Sequence, residues 1–122
     1  MEKVKARPLP KGKIMAETYQ KEIVQRIIKN LLEIQLLRLV DAQPLWGYKI
    51  KKQVETEFHM KLRHGALYPM LNRLEKQGFL VSQKQHQGGR IRKVYTVTKK
   101  GKEYLESYYD VLKKQLESKD RK

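Results

Sequence analysis

At 122 residues and 14.6 kDa, with 39% of its residues apolar, the chain is one domain's worth, able to bury a single modest core and too apolar to be disordered throughout. Against 13 Asp and Glu stand 28 Lys and Arg, a net charge of +15, which points to a polyanionic partner, nucleic acid first and an anionic membrane second. The absence of cysteine excludes disulfides, thiolate zinc sites and cysteine nucleophiles.

The charge is unevenly placed. Residues 1–13 carry net +4, residues 46–75 net +3, and residues 76–102 eight positive charges with no carboxylate. Residues 14–45 and 103–122 are each neutral. One set of elements is therefore suited to phosphate and another to protein. The most apolar stretch, Ile23 to Val40, is interrupted by Lys29, Glu33 and Arg38, so no membrane span is expected. The start, MEKVKARPLPKGK, has no apolar core and does not read as a signal peptide. A soluble cytoplasmic protein is expected, nucleoid-associated if bound to DNA.

In chain order, residues 1–13 read as a flexible basic arm, with two prolines and a glycine among lysines. Residues 14–45 hold a long helix, predicted from about Glu17 to Asp41. Val24, Ile27, Leu31 and Ile34 form one apolar stripe, and Ile28, Leu32, Leu36 and Leu39 a second beside it. Two adjacent stripes offer more apolar surface than one small domain can cover, which predicts a subunit partner at Ile23, Ile27 and Leu31.

Residues 46–98 form the central core. A second helix is predicted from about Tyr48 to Phe58, with Ile50, Val54 and Phe58 inward and Lys49, Lys51, Lys52 and Gln53 outward. After the turn HMKL, a third helix runs from about Gly65 to Gln77 on a Leu67, Leu71 and Leu74 stripe, with Gly78 as its C′ residue. Two helices joined by a tight turn make a helix-turn-helix. The period then changes to that of strands at Phe79–Gln85 and Ile91–Thr98, linked through Gly88-Gly89. Thr98 is a good N-cap for a last helix, residues 99–122, whose seam of Leu105, Tyr108, Leu112 and Leu116 is the second half of the expected dimer interface. The fold class is mainly α with a small β-hairpin wing: a winged helix-turn-helix flanked by long N- and C-terminal dimerisation helices.

With its leucines inward, the third helix turns Arg63, His64, Gly65, Tyr68, Asn72 and Arg73 outward, where a helix in the major groove reads base edges. Asn suits adenine and Arg suits guanine. The competing reading is that Gly65 and Pro69 only shape the first turn while Asn72 and Arg73 are solvated. Pro69 requires the helix to start late, near His64 or Gly65, or to bend. The wing carries Lys84, Arg90, Arg92 and Lys93 around a Gly-Gly tip, suited to phosphates and a narrow minor groove. Lys49 and Lys52 complete the expected DNA-binding set. Lys99 and Lys100, in a helix first turn, oppose the macrodipole, and either a nearby phosphate or simple tolerance accounts for them. His59, His64 and His86 are scattered and make no metal site, and no nucleophile–base pattern or phosphate loop suggests catalysis. No cofactor is expected.

Leu45-Trp46-Gly47-Tyr48-Lys49-Ile50, Gly65-Ala66-Leu67-Tyr68-Pro69, the run from Leu71 to Leu80 and that from Gly89 to Gly101 together resemble the PadR family of transcriptional regulators. The resemblance covers roughly Ile34 to Leu116. It implies a homodimeric winged-helix protein that binds double-stranded DNA, usually as a repressor, with the first and last helices forming the dimer interface. Some relatives bind flat aromatic molecules there, so a small aromatic effector is a secondary expectation. The chain departs from the family pattern at Arg63, where a cap residue such as Ser is common, at Ala66 in place of Thr, and at Lys99 and Lys100 in place of Glu. An architectural duplex-binding protein with little sequence preference is the alternative function, and a protein-interaction adaptor a third.

Overall fold

The computed structural model describes residues 10–119, in two units that meet between Leu32 and Glu33. Residues 1–9 of the expected basic arm lie outside the described residues. Helix α1 spans Pro10–Ala42, so it starts well before the predicted Glu17. The reason is that a proline is tolerated in the first turn, where its missing N–H would have no helical partner anyway. Leu31 leaves helical geometry (φ −125°, ψ 25°) with neither Pro nor Gly next to it. In the first unit Met15, Tyr19 and Ile23 are exposed at four-residue spacing, which puts them on one helix face.

The second unit holds the end of α1, β1 (Leu45–Trp46), α2 (Gly47–Phe58), α3 (His64–Lys76), β2 (Leu80–Gln87), β3 (Arg90–Val97) and α4 (Lys99–Lys119). Its core takes Leu36, Leu37 and Val40 from α1, Ile50 and Val54 from α2, and Leu67, Leu71 and Leu74 from α3. The α3 stripe is the one predicted, and the α2 stripe is met at Ile50 and Val54, whereas Phe58, at the C-terminal end of the helix, is only half-buried. On α1 the buried face is rotated from the predicted one: Leu37 and Val40 are buried, whereas Leu39 is half-buried. Periodicity alone could not separate two adjacent stripes. Leu105, expected at the dimer interface, is 2% exposed and belongs to this chain's own core.

The sheet has the order β1-β3-β2, antiparallel throughout. β1, too short to show a period, was not predicted. It pairs Leu45 with Tyr95 and Trp46 with Val94, which makes β3 the central strand. Tyr95 and Val97 are buried in phase, and Val94 is buried out of phase, flanked by Trp46 and Gln83 as register partners. The hairpin turns at Gly88 (φ 54°) and Gly89 (φ 78°), with Gln87 opposite Arg90. Positive φ at both central residues is the two-residue turn that matches strand twist, and it needs residues such as glycine.

The helix ends are tied by local bonds. Phe79 N–H donates to the Leu74 carbonyl and Gly78 N–H to that of Glu75, both at 2.9 Å, the double closure of a Schellman motif. Thr98 caps α4 as predicted: its Oγ1 accepts the Gly101 N–H at 3.0 Å and donates to the Gly78 carbonyl at 2.6 Å. Gly101 is buried so tightly that a Cβ there would collide with the Phe79 carbonyl oxygen and lie 2.7 Å from Val97 Cγ1. Lys100, which opposes the α4 dipole, donates from Nζ to the Gln77 carbonyl at 2.9 Å, placing its charge at the negative end of α3. Lys102 Nζ meets Asp41 at 2.7 Å. These contacts give both lysines a structural role that the sequence did not reveal.

Candidate nucleic-acid interface

α3 starts at His64, which leaves Pro69 inside the helix in its second turn, where it cannot donate to the Gly65 carbonyl and its ring crowds that group. With Leu67, Leu71 and Leu74 buried, Arg63, Gly65, Tyr68 and Asn72 are exposed, as the stripe requires. The His64 side chain lies outside the described residues. A Cβ on Gly65 would meet nothing within 4 Å, so the start of the helix is sterically open. Arg73 is exposed too, but its guanidinium donates to Glu33 Oε2 of α1, from Nε at 2.8 Å and also from Nη2. One edge of its guanidinium is thus held by a carboxylate within the chain.

On α2, Lys49 and Lys52 are exposed, as expected. Lys51 is not. Its side chain is 17% exposed and its Nζ lies 3.0 Å from Glu55 Oε2, which also accepts the Leu62 N–H at 2.8 Å. Glu55 thereby holds the turn between α2 and α3. That backbone bond, and then the Lys51 bond, keep the Glu55 carboxyl below its ordinary pKa.

Along the hairpin, Lys84 stands directly opposite Lys93, and Arg92 opposite Gln85. Like charges directly opposed across a ladder are unfavourable, and Glu75 Oε1, 3.7 Å from Lys93 Nζ, partly offsets the Lys84–Lys93 pair. Arg90 is exposed beside the Gly-Gly tip. Arg92 is half-buried, its guanidinium carbon 3.6 Å from the centre of the Trp46 ring. Trp46 in turn stacks on Tyr48, with centroids 5.5 Å apart and planes at 25°.

A cleft of about 340 Å³ joins the two halves of this face. Tyr68 and Asn72 of α3 line one side, Arg92 and Lys93 of β3 another, and Trp46 and Tyr48 are shared by both. A Cβ on Gly47 would lie 2.7 Å from the Tyr68 hydroxyl, so a larger residue there would have to displace the exposed Tyr68 ring. The phenol of Tyr95, also in the cleft wall, is pushed up to about 12 by burial first and then by Glu75 and Tyr68. The fold thus gathers Tyr68, Asn72, Arg92 and Lys93, separates Lys84 and Arg90 along the wing, and ties Arg73 to α1. Trp46 is absent from the DNA-binding set expected from the sequence, because its link to Arg92 exists only once β1 pairs with β3.

A helix-turn-helix with a basic antiparallel wing is the winged-helix architecture. A comparison with family models matches residues 36–107 to the transcriptional regulator PadR-like family, more than half of the chain. The chain belongs to this family, a family of transcription regulators rather than enzymes. Among solved structures, a PadR-like transcription factor from Bacteroides fragilis is 26% identical, with a TM-score of 0.67 over 82% of this chain and 97% of that one. A PadR-like regulator from Bacillus cereus, 23% identical, shares the fold with a TM-score of 0.69 over 79% and 94%. Bacillus subtilis PadR in complex with operator DNA is 29% identical, with a TM-score of 0.60 over 66% of this chain and 46% of that one. A comparison with curated proteins found no match. Among the described residues, no helix is long and apolar enough to cross a membrane, and no group of His, Asp or Glu could hold a metal ion.

Proposed function

We propose that this regulator is a sequence-specific repressor that binds double-stranded DNA as a homodimer, with α3 in the major groove and the wing on the phosphates and minor groove. The observation that carries the reading is the shared cleft. It sets Asn72, a side chain able to read a base, beside Arg92 and Lys93, cations able to hold the backbone. Arg63, Gly65 and Tyr68 on α3, Lys49 and Lys52 on α2, and Lys84 and Arg90 on the wing extend the same surface. Two-fold symmetry would bring two copies of α3 into successive major grooves about 34 Å apart. The apolar residues left exposed on α4, Val111, Leu112 and Leu116, support the dimer. Tyr109 beside them would suit a small aromatic effector at that interface. Binding to DNA places the protein at the nucleoid in the cytoplasm.

One observation favours a second reading, an architectural protein with little sequence preference: Glu33 pairs with Arg73 and so competes with a base for one of the two best base-reading side chains. The two are separated by selecting the bound fraction of a randomised duplex pool at near-physiological salt. A near-palindrome with half-sites about 10 bp apart is the expected outcome. Tight binding without enrichment, lost steeply as salt rises, would overturn the proposal in favour of the architectural protein.

A further inference from the structure

Arg92 on Trp46, Trp46 on Tyr48, and Lys52 Nζ 5.7 Å from the centre of the Tyr48 ring form a continuous ladder of two cations and two stacked aromatics. It runs from β3 through β1 to the first turns of α2. A cation over an aromatic face is attracted by the ring quadrupole, and the rigid rings replace the rotameric freedom that Arg and Lys side chains otherwise keep in water. We infer that Trp46 is a positioning residue for DNA binding, holding the Arg92 guanidinium of the wing, and through Tyr48 the Lys52 ammonium of α2, ready for adjacent phosphates of one duplex.

Three features of the structure support this. Arg92 has an uncharged cross-strand partner, Gln85, so no carboxylate on the hairpin competes with a phosphate for it. Among the described residues, no ion pair is formed by either Arg92 or Lys52, whereas Arg73, Lys51, Lys93 and Lys102 each have an acidic partner. An aromatic partner leaves the in-plane donors of a guanidinium unused, since stacking engages its face and phosphate binding its edge. Trp46 is also fixed from below, because its backbone pairs with Val94 in the central strand. The aromatic platform therefore moves with the wing.

The inference rests on the DNA-binding reading, and the test separates the two. Affinity for a labelled mixed-sequence duplex of about 30 bp, long enough for two half-sites, is measured for the full chain and for R92Q, W46L, W46F and the W46L/R92Q double variant. R92Q is expected to weaken binding about tenfold and W46L about three- to tenfold. W46F, which keeps a ring under the guanidinium, should retain most of the affinity. The double variant should lose much less than the product of the two single losses, because once Arg92 is gone Trp46 has only its hold on Lys52 through Tyr48 left to lose. Independent losses that multiply in the double variant overturn the positioning role. So does W46L binding like the parent while R92Q is weakened, a result that leaves DNA binding by the wing intact. If R92Q itself binds like the parent, the wing contact fails and the inference with it.

A second readout does not depend on any Trp46 variant folding. Trp46 is the chain's single tryptophan. Acrylamide quenching of its emission should rise in R92Q, where the guanidinium no longer covers the ring. Quenching unchanged from the parent overturns the ladder.

Discussion

Arg63 sits at the N-cap of α3 with extended backbone (φ −74°, ψ 143°), yet its side chain makes no cap bond. A Ser, Thr, Asp or Asn there would satisfy one of the free N–H groups of the first turn and stabilise the helix by about 1 kcal/mol. A cation at this end also opposes the dipole. The residue is thus unfavourable for the free protein and favourable beside a phosphate. Arg63→Ser is expected to raise the melting temperature by a few degrees while weakening duplex binding and flattening its salt dependence by about one charge. Thermal unfolding and a salt titration check the two halves separately. Glu55 acts in the opposite sense, as a purely structural charge. Its folded pKa lies below the ordinary 4.5, so the ionised form adds stability that is present above 4.5 and lost as pH falls through the folded value. In Glu55→Gln the part of acid destabilisation due to this group should disappear. Melting curves recorded as pH is lowered below 4.5 should therefore fall less steeply for the variant than for the parent.

The β2–β3 hairpin repeats the pattern seen at Arg63. Its Gly88-Gly89 turn and antiparallel register are favourable, but Lys84 directly opposes Lys93. A charge-reversing Lys84→Glu should turn that repulsion into attraction and stabilise the hairpin by about 0.2–1 kcal/mol. The same change should weaken duplex binding more than loss of one positive charge does, because it also brings a carboxylate toward phosphate. Urea unfolding beside a binding isotherm tests this, and an affinity equal to the parent's would remove Lys84 from the contact surface. Helix α3 was legible in the sequence because Leu67, Leu71 and Leu74 sit at helical spacing between a tight turn and Gly78. The interplay of its end with α4 was not. The bond from Lys100 to the Gln77 carbonyl crosses 23 residues of sequence and has no local signature.

For the whole molecule, the distribution of apolar surface is the clearest statement. Leu105 is buried, while Val111, Leu112 and Leu116 further along α4 are exposed, so the helix continues past the core it serves. Tyr108, predicted at the interface, is half-buried, and its hydroxyl lies 3.4 Å from the amide nitrogen of the buried Gln35. Exposed leucine and valine on a basic DNA-binding protein are expected to be covered by a second copy. Sedimentation at micromolar concentration should give twice the 14.6 kDa of the chain, and Leu112→Lys with Leu116→Lys should shift the equilibrium to monomer without loss of the folded core. A monomeric mass for the parent would remove the two-fold arrangement from the proposal.

Local sequence was enough for the order and kind of every element but β1, for the core stripe of α3 and the Ile50 and Val54 positions of α2, and for the Gly-Gly turn, the Thr98 cap and the concentration of positive charge in the middle of the chain. Each depends on residues within about one or two turns or a strand length of one another, where period and propensity act directly. Tertiary structure alone decided which face of α1 is buried, that two residues before α2 pair with the central strand, that Arg73 and Lys51 are held by carboxylates, and that Trp46 lies under Arg92. These depend on segments brought together across tens of residues, and local sequence cannot encode which of several exposed cations finds a partner until packing has fixed the distances.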